Sequence, residues 1–269
     1  VATPLGLHAP AIEQARALLQ KRGRRDQGRY AVEGPTMLAE AIGAGLEPLD
    51  VFATEQKLSE ATELVGRRFA DRLWVVPDRA MVRLSDLETP PGIVAVFPIA
   101  LTGPETMLAA GEPVAVLAGV ADPGNAGTLL RTAEIFGIGS ALFVGEAVEP
   151  HNPKVVRATM GALFRMRVGV CGGAELVAAA GQAGYTIVAT SRSGQALPDY
   201  RFPQRALIAI GNERHGVSVA LPHYDEEIAI PHAGLGESLN ASVAGGIIFY
   251  TFSQQTKRRI FEGQTSEKP

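Results

Sequence analysis

Val114–Ala118, Asn125–Gly137 and Ser140–Val144 read as strand, helix and strand, and no other stretch limits the possible folds so tightly. Both strands are continuous apolar runs. At about 100° per residue, Ala126, Leu129, Leu130, Ala133 and Phe136 fall on one arc of the helix. A helical crossover of this length returns the chain to a parallel neighbour, so this part is expected to build a parallel sheet. The pattern continues with helices over Lys154–Phe164 and Glu175–Ala183. Strands follow at Met166–Val170, Tyr185–Thr190, Ala206–Ile210 and Glu227–Ile230, then a long terminal helix over Leu239–Arg259, apolar through Tyr250.

The first hundred residues also alternate. Helices are expected at Ala11–Lys21, Pro35–Gly43 and Leu58–Ala70, and strands at Arg29–Glu33, Leu49–Ala53, Leu73–Val76 and Ile93–Phe97. That is a second α/β unit, and 269 residues that are 46% hydrophobic can bury two cores. The expected division is an α/β domain over 1–98, a linker over 99–112 punctuated by Gly103, Pro104 and Gly111, a parallel-sheet domain over 113–262, and a disordered tail over 263–269.

Composition excludes several classes. No apolar run reaches the roughly 18–20 residues that cross a bilayer, and no signal peptide opens the chain, which starts at Val1 as a trimmed or processed chain would. The single Cys171 rules out an internal disulfide and suits a reducing cytoplasm. Five scattered histidines lack metal-ligand spacing, so no metal is expected. The net charge of −3 leaves nucleic-acid binding to local patches. One such patch is Lys21, Arg22, Arg24, Arg25 and Arg29, five cations in nine residues, expected to form a loop that grips RNA phosphates. A solvated basic loop would have the same composition.

Open parallel sheets bind ligands beyond the carboxyl ends of their strands. Three loops there are rich in glycine and polar residues: one carries Asn125, Gly127 and Arg131, the next Gly211, Asn212, Glu213 and Gly216, the third Ile230, Pro231, Ser238, Leu239 and Asn240. In the third, Ser238 or Asn240 is placed to cap a helix, and the loop equally suits a ligand held by backbone N–H groups. Arg131 lies about 160° from the middle of its helix's apolar arc, so it is a solvated side chain or an active-site group, not a core residue. Glu213 could hold a cation or a backbone N–H, or sit in a plain surface turn. No dinucleotide fingerprint, Walker loop or nucleophile elbow is present.

Together, in this order and spacing, the three loops resemble the SpoU family of the SPOUT superfamily, the RNA ribose 2′-O-methyltransferases. Asn152–Arg157 and Gly161–Phe164 look like the same family. The first domain, with Arg16, Arg29, Glu33 and Gly34, is similar to the ribosomal-protein-like domain that precedes many of its catalytic domains. The resemblance implies a deep trefoil knot in the C-terminal domain, a homodimer, S-adenosyl-L-methionine bound at the knot, and an RNA substrate, ribosomal rather than transfer RNA. It assigns the cofactor to Gly211, Asn212, Gly216, Ile230 and Leu239, with Thr190 and Gly194 in a neighbouring loop. It places Arg131 in catalysis, with Asn125, Ser238 and Asn240 orienting the ribose or Arg131, and Glu213 fixing a loop. The family assigns the arginine as base. Arginine normally holds its proton, with a pKa of about 12.5–13.8, so two roles stay open for Arg131: a phosphate clamp, or a strongly perturbed base. His232 departs from the family, which often has Met there. A transfer-RNA 2′-O-methyltransferase, a non-catalytic RNA-binding relative and a small-molecule α/β enzyme are the alternatives, and the intact Arg131, Glu213, Ser238 and Asn240 argue against the second.

Overall fold

The computed structural model describes residues 2–212, 215–234 and 238–266, with side chains through Thr256. The elements run β1 (Thr3–Pro4), α1 (Pro10–Ala17), α2 (Lys21–Gln27), β2 (Arg29–Glu33), α3 (Pro35–Gly43), β3 (Asp50–Ala53), α4 (Leu58–Val65), β4 (Leu73–Val75), α5 (Asp78–Leu84) and β5 (Ile93–Pro98). They continue with α6 (Pro104–Leu108), β6 (Val114–Ala118), α7 (Pro123–Ile135), β7 (Ser140–Val144), α8 (Pro153–Ala158), α9 (Ala162–Arg165), β8 (Arg167–Cys171), α10 (Gly173–Ala183), β9 (Thr186–Ala196), β10 (Ala206–Gly211), β11 (Glu226–Ala229) and α11 (Ala241–Ser266).

Packing divides the chain into two compact units, 1–100 with 151–164, and 101–150 with 165–269. The chain order of the sequence reading put 151–164 with the parallel-sheet domain, whereas these residues pack within the first unit. The first unit's sheet has the order β1-β4-β3-β5-β2, with β1, β4 and β3 parallel and β5 antiparallel to both β3 and β2. Its core includes Ile12, Leu18, Phe52, Met81 and Val94. The second unit's sheet has the order β11-β9-β10-β6-β7-β8, and every pair is parallel. Every residue of β6 and β7 is buried, as strands covered on both faces require, which is why they read as unbroken apolar runs.

Several elements depart from the sequence reading. Residues 21–27 form a helix rather than a loop, and Arg24 is turned inward. It is 2% exposed and donates from Nη1 to the Leu18 carbonyl at 2.7 Å. Arg24 is therefore removed from the RNA-facing patch: its guanidinium serves a backbone acceptor inside the first unit. Lys21, Arg22 and Arg25 are exposed, and Arg29 is half-buried at the start of β2. The single helix expected over 154–164 is broken at Met160, whose φ of 49° is left-handed and cannot continue a right-handed helix. The short α5 and β1 were not foreseen. Helix α11 runs to Ser266 rather than stopping at Arg259, so 263–266 are helical and 267–269 lie outside the described residues. Good helix formers dominate 254–262 and carry the helix past its apolar part.

In the first unit, Arg157 from α8 donates to Glu33 Oε1 at 3.0 Å and to both oxygens of Asp86. Ser85 donates to the other Glu33 oxygen. The Glu33 side chain is only 2% exposed. Burial raises its pKa above the ordinary glutamate range, against the lowering effects of Ser85 and Arg157. Burial also pushes Asp86 upward, but the hydrogen bond and charge of Arg157 outweigh it, and its pKa is lowered. A raised carboxyl favours the folded state at low pH, and that contribution fades as pH rises; a lowered one does the reverse. Arg157→Met leaves Glu33 buried without its cation. It is expected to cost about 3 kcal/mol near neutral pH, and clearly less in acid, once Glu33 has taken up a proton. Urea unfolding of both proteins at the two pH values measures the difference.

Candidate active site

Helix α7 begins where Asp122 accepts the Asn125 amide at 2.7 Å and Pro123 takes the first turn, a position where proline's missing N–H costs nothing. Helix α11 begins at Asn240. Its Oδ1 accepts from Ser242 N at 2.9 Å, Ser242 Oγ at 2.6 Å and Val243 N at 3.3 Å. Asn240 is thus the helix cap, and Ser238 stands free of that duty. The two starts are joined: Asn240 Nδ2 donates to Asn125 Oδ1 at 2.9 Å.

From that bond the helices run side by side in the same direction. A Cβ on Gly245 would lie 2.2 Å from Leu129 Cδ2, one on Gly246 would lie 3.6 Å from Thr132 Cγ2, and Tyr250 meets Phe136 edge-on at 5.6 Å between ring centroids. The N-termini of α7 and α11 therefore share one end of the unit. Arg131 lies on the face of α7 with Gly124, Thr128 and Ile135, all exposed.

Beside this pair lies a cavity of about 400 Å³. Its walls come from the middle of β9, the end of β10 and the turn after it, β11 with the residue that follows it, and the start of α11. Of the expected cofactor residues, Thr190, Gly211, Asn212, Gly216, Ile230 and Leu239 line it, as does Ser238. Gly211 N donates to Thr190 Oγ1 at 3.4 Å, and a Cβ on Gly211 would come within 2.4 Å of the Gly216 carbonyl carbon, so two backbones meet there with no room for a side chain. Gly216 N donates to the Asn212 carbonyl at 2.8 Å, closing the turn, and Asn212 Nδ2 donates to the Gly119 carbonyl at 3.2 Å, tying the second loop to the first.

Gly194 does not line the cavity. It packs on the β11 backbone, where a Cβ would sit 2.4 Å from the Glu227 carbonyl carbon. Asn125 and Arg131 stand on α7, in the helix pair beside the cavity rather than in its wall, and Glu213 lies outside the described residues. The sequence reading missed Ser191, Arg192, Tyr224 and Glu227, which also line the cavity. Their signal is a register jump: Glu227 pairs with Ala189 but Ile228 pairs with Gln195, so 190–194 bulge out of the β11–β9 pairing. Nothing in the residue pattern marks that jump except Gly194. His232 lines the cavity as well, with Nδ1 3.3 Å from the Gly234 carbonyl.

Among the described residues, no helix is long and apolar enough to cross a membrane, and no group of three or more His, Cys, Asp or Glu is placed to hold a metal ion.

A parallel sheet whose three glycine-rich loops meet at paired helix starts is the arrangement of a nucleotide-type ligand site. The sequence model of the SpoU rRNA Methylase family matches residues 112–250, and that of the MRM3-like substrate binding domain matches residues 9–95. The chain belongs to the SpoU rRNA methylase family. The 23S rRNA (uridine(2479)-2′-O)-methyltransferase of Streptomyces viridochromogenes is 31% identical over 96% of this chain and 93% of its own length. An rRNA methyltransferase structure from Sinorhizobium meliloti superposes with a TM-score of 0.83 at 25% identity, over 94% of this chain and 98% of that one. The SpoU methyltransferase AviRb from Streptomyces viridochromogenes, solved in complex with AdoMet, gives 0.78 at 26% identity over 93% and 98%.

Proposed function

We propose that this chain transfers a methyl group from S-adenosyl-L-methionine to a ribose 2′-hydroxyl in RNA, specifically ribosomal RNA. The observation that carries the reading is the meeting of the three loops: Asn125 bonds Asn240, Asn212 bonds Gly119, and the second and third loops wall one cavity. The match of residues 9–95 to a substrate-binding domain, and the rRNA substrate named for the Streptomyces relative, support ribosomal RNA as the target.

The cavity suits the cofactor. Its volume is within the range of small-molecule sites. Ile210, Val217 and Ile248 give it apolar walls, and Thr190, Ser191 and Ser238 give it polar edges. Backbone groups at Gly211, Asn212, Gly216, Ile230 and Leu239 would hold the nucleoside. When bound, the cofactor supplies an electrophilic methyl carried on a sulfonium. The chain's own task is then to place the ribose hydroxyl in line with it, which is largely an entropic service.

Arg131, exposed and outside the cavity wall, is the clamp: its planar fork grips a phosphate next to the target ribose. The hydroxyl proton leaves late, to phosphate or solvent, so the arginine need not give up its own. The N-termini of α7 and α11 lie together beside the cavity. Asn240 and Asn125 position those two helix starts, and Ser238 stands at the cavity edge to orient the ribose. Glu213, outside the described residues, is assigned the fixing of a neighbouring loop. Lys21, Arg22, Arg25 and Arg29 contribute RNA phosphate contacts from the first unit, without Arg24.

The family's trefoil knot, a cytoplasmic setting and a homodimer belong to the same proposal. Support for the dimer is an apolar stripe of Val243, Ile247 and Tyr250 on α11 beside Ile135 on α7, all exposed, with Ile135 at 64%. A stripe of this kind on paired helices suits a second copy of the chain.

Tritium transfer from labelled S-adenosylmethionine to bulk rRNA, followed by nuclease digestion, tests the activity; label in transfer RNA alone, or none in RNA, would overturn it. Arg131→Ala is expected to lower the transfer rate about 10²-fold or more while the affinity for S-adenosylhomocysteine stays within about threefold, since Arg131 is not part of the cavity wall; about threefold is well under one 1.4 kcal/mol decade. An unchanged rate would remove it from the mechanism. Ile247→Glu places a charge in the apolar stripe. It is expected to sediment as a monomer where the parent chain sediments as a dimer.

A further inference from the structure

Glu227 is the one carboxylate among the described residues that line the cavity. It stands on β11 at the register jump, next to the excursion of residues 190–194. Its side chain is fixed from two sides. The Tyr224 hydroxyl donates to Oε1 at 2.6 Å, and the Ser191 hydroxyl donates to Oε2 at 3.0 Å. Ser191 is itself held, since its Oγ accepts from Ser193 N at 3.1 Å.

An ionised carboxylate has about four acceptor positions, two on each oxygen. One bond on each oxygen leaves one position on each, on a carboxylate held in a fixed orientation. Two hydroxyls on neighbouring carbons present a matching pair of donors. In dinucleotide-binding folds built on a parallel sheet, an acidic residue bonds a ribose hydroxyl of the nucleotide in this way.

We propose that Glu227 accepts hydrogen bonds from the ribose 2′,3′-diol of the adenosyl ligand in this cavity, and that Tyr224 and Ser191 position its carboxylate to do so. The inference rests on the reading of the cavity as the S-adenosylmethionine site. Glu227 then contributes to ligand selection: it favours adenosyl compounds with an intact ribose, with or without the amino-acid arm.

Calorimetric titration of the full chain and its Glu227→Gln variant tests this with S-adenosylhomocysteine, 5′-methylthioadenosine and 2′,3′-dideoxyadenosine. The variant is expected to bind the first two about tenfold or more weakly, because a hydrogen bond to a charged group is lost. Its affinity for the dideoxy compound should match the parent's. A loss for S-adenosylhomocysteine but not for methylthioadenosine would put the carboxylate at the amino-acid arm and overturn the proposal. Equal losses for all three would make Glu227 only a brace for residues 190–194, and no loss for any would leave it no role; either result overturns the proposal. A parent chain that binds none of the three would instead refute the assignment of the cavity, and the diol contact with it.

Discussion

Gly245 has no side chain at the point where Leu129 presses against α11, and even a methyl there would overlap the leucine. That contact lets α7 and α11 approach as parallel neighbours, and the Asn240–Asn125 bond fixes their register at the N-terminal end. The consequences are geometric. Two helix starts that are 115 residues apart in the chain come together. Ile230, Ser238 and Leu239, which flank the start of α11, then wall one cavity with Thr190 of β9 and Gly211 of β10. A bulkier residue at 245 would push α11 off α7 and change the shape of the cavity without touching any residue in its polar wall.

The work of the site is divided between backbone and side chains. Close backbone meetings at Gly211–Gly216 and Gly194–Glu227 shape the cavity, and few charged groups enter it. Arg192, Asn212 and Glu227 belong to its wall, whereas other charged and amide groups stand beside it: Arg131 on the open face of α7, and Asn125 and Asn240 at the helix starts. Such a separation suits a reaction in which one partner is a buried small molecule and the other a large polyanion approaching from solvent. The first needs shape and apolar contact; the second needs accessible cations, whose attraction reaches through water.

Much of the sheet was legible because its signals are local. β2, β6 and β7 and helix α3 fall on the residues that periodicity and proline placement indicated, since unbroken apolar runs and an N-terminal proline need no knowledge of distant neighbours. Of the candidate site, the three loops were legible from glycine and polar residues beyond strand ends. Long-range features were not. Arg24 looked like any other cation in its patch until packing turned it toward the Leu18 carbonyl. Residues 151–164 follow β7 in the chain, yet Arg157 is drawn to Glu33 and Asp86 in the first unit by a buried carboxyl that needs a cation. The excursion at 190–194, and with it the place of Glu227 in the cavity, depends on the register of β11 against β9, which no residue pattern within either strand specifies.

The most direct measurement is a crystal structure of the chain grown with S-adenosylhomocysteine. The ligand is expected in the cavity beneath the third loop, with its adenine against the backbone of Gly211, Ile230 and Leu239 and its sulfur directed toward the joined starts of α7 and α11. Ligand density at any other place on the chain, or a sulfur directed away from Asn125 and Arg131, would contradict the assignment of this cavity and of the chemistry built on it.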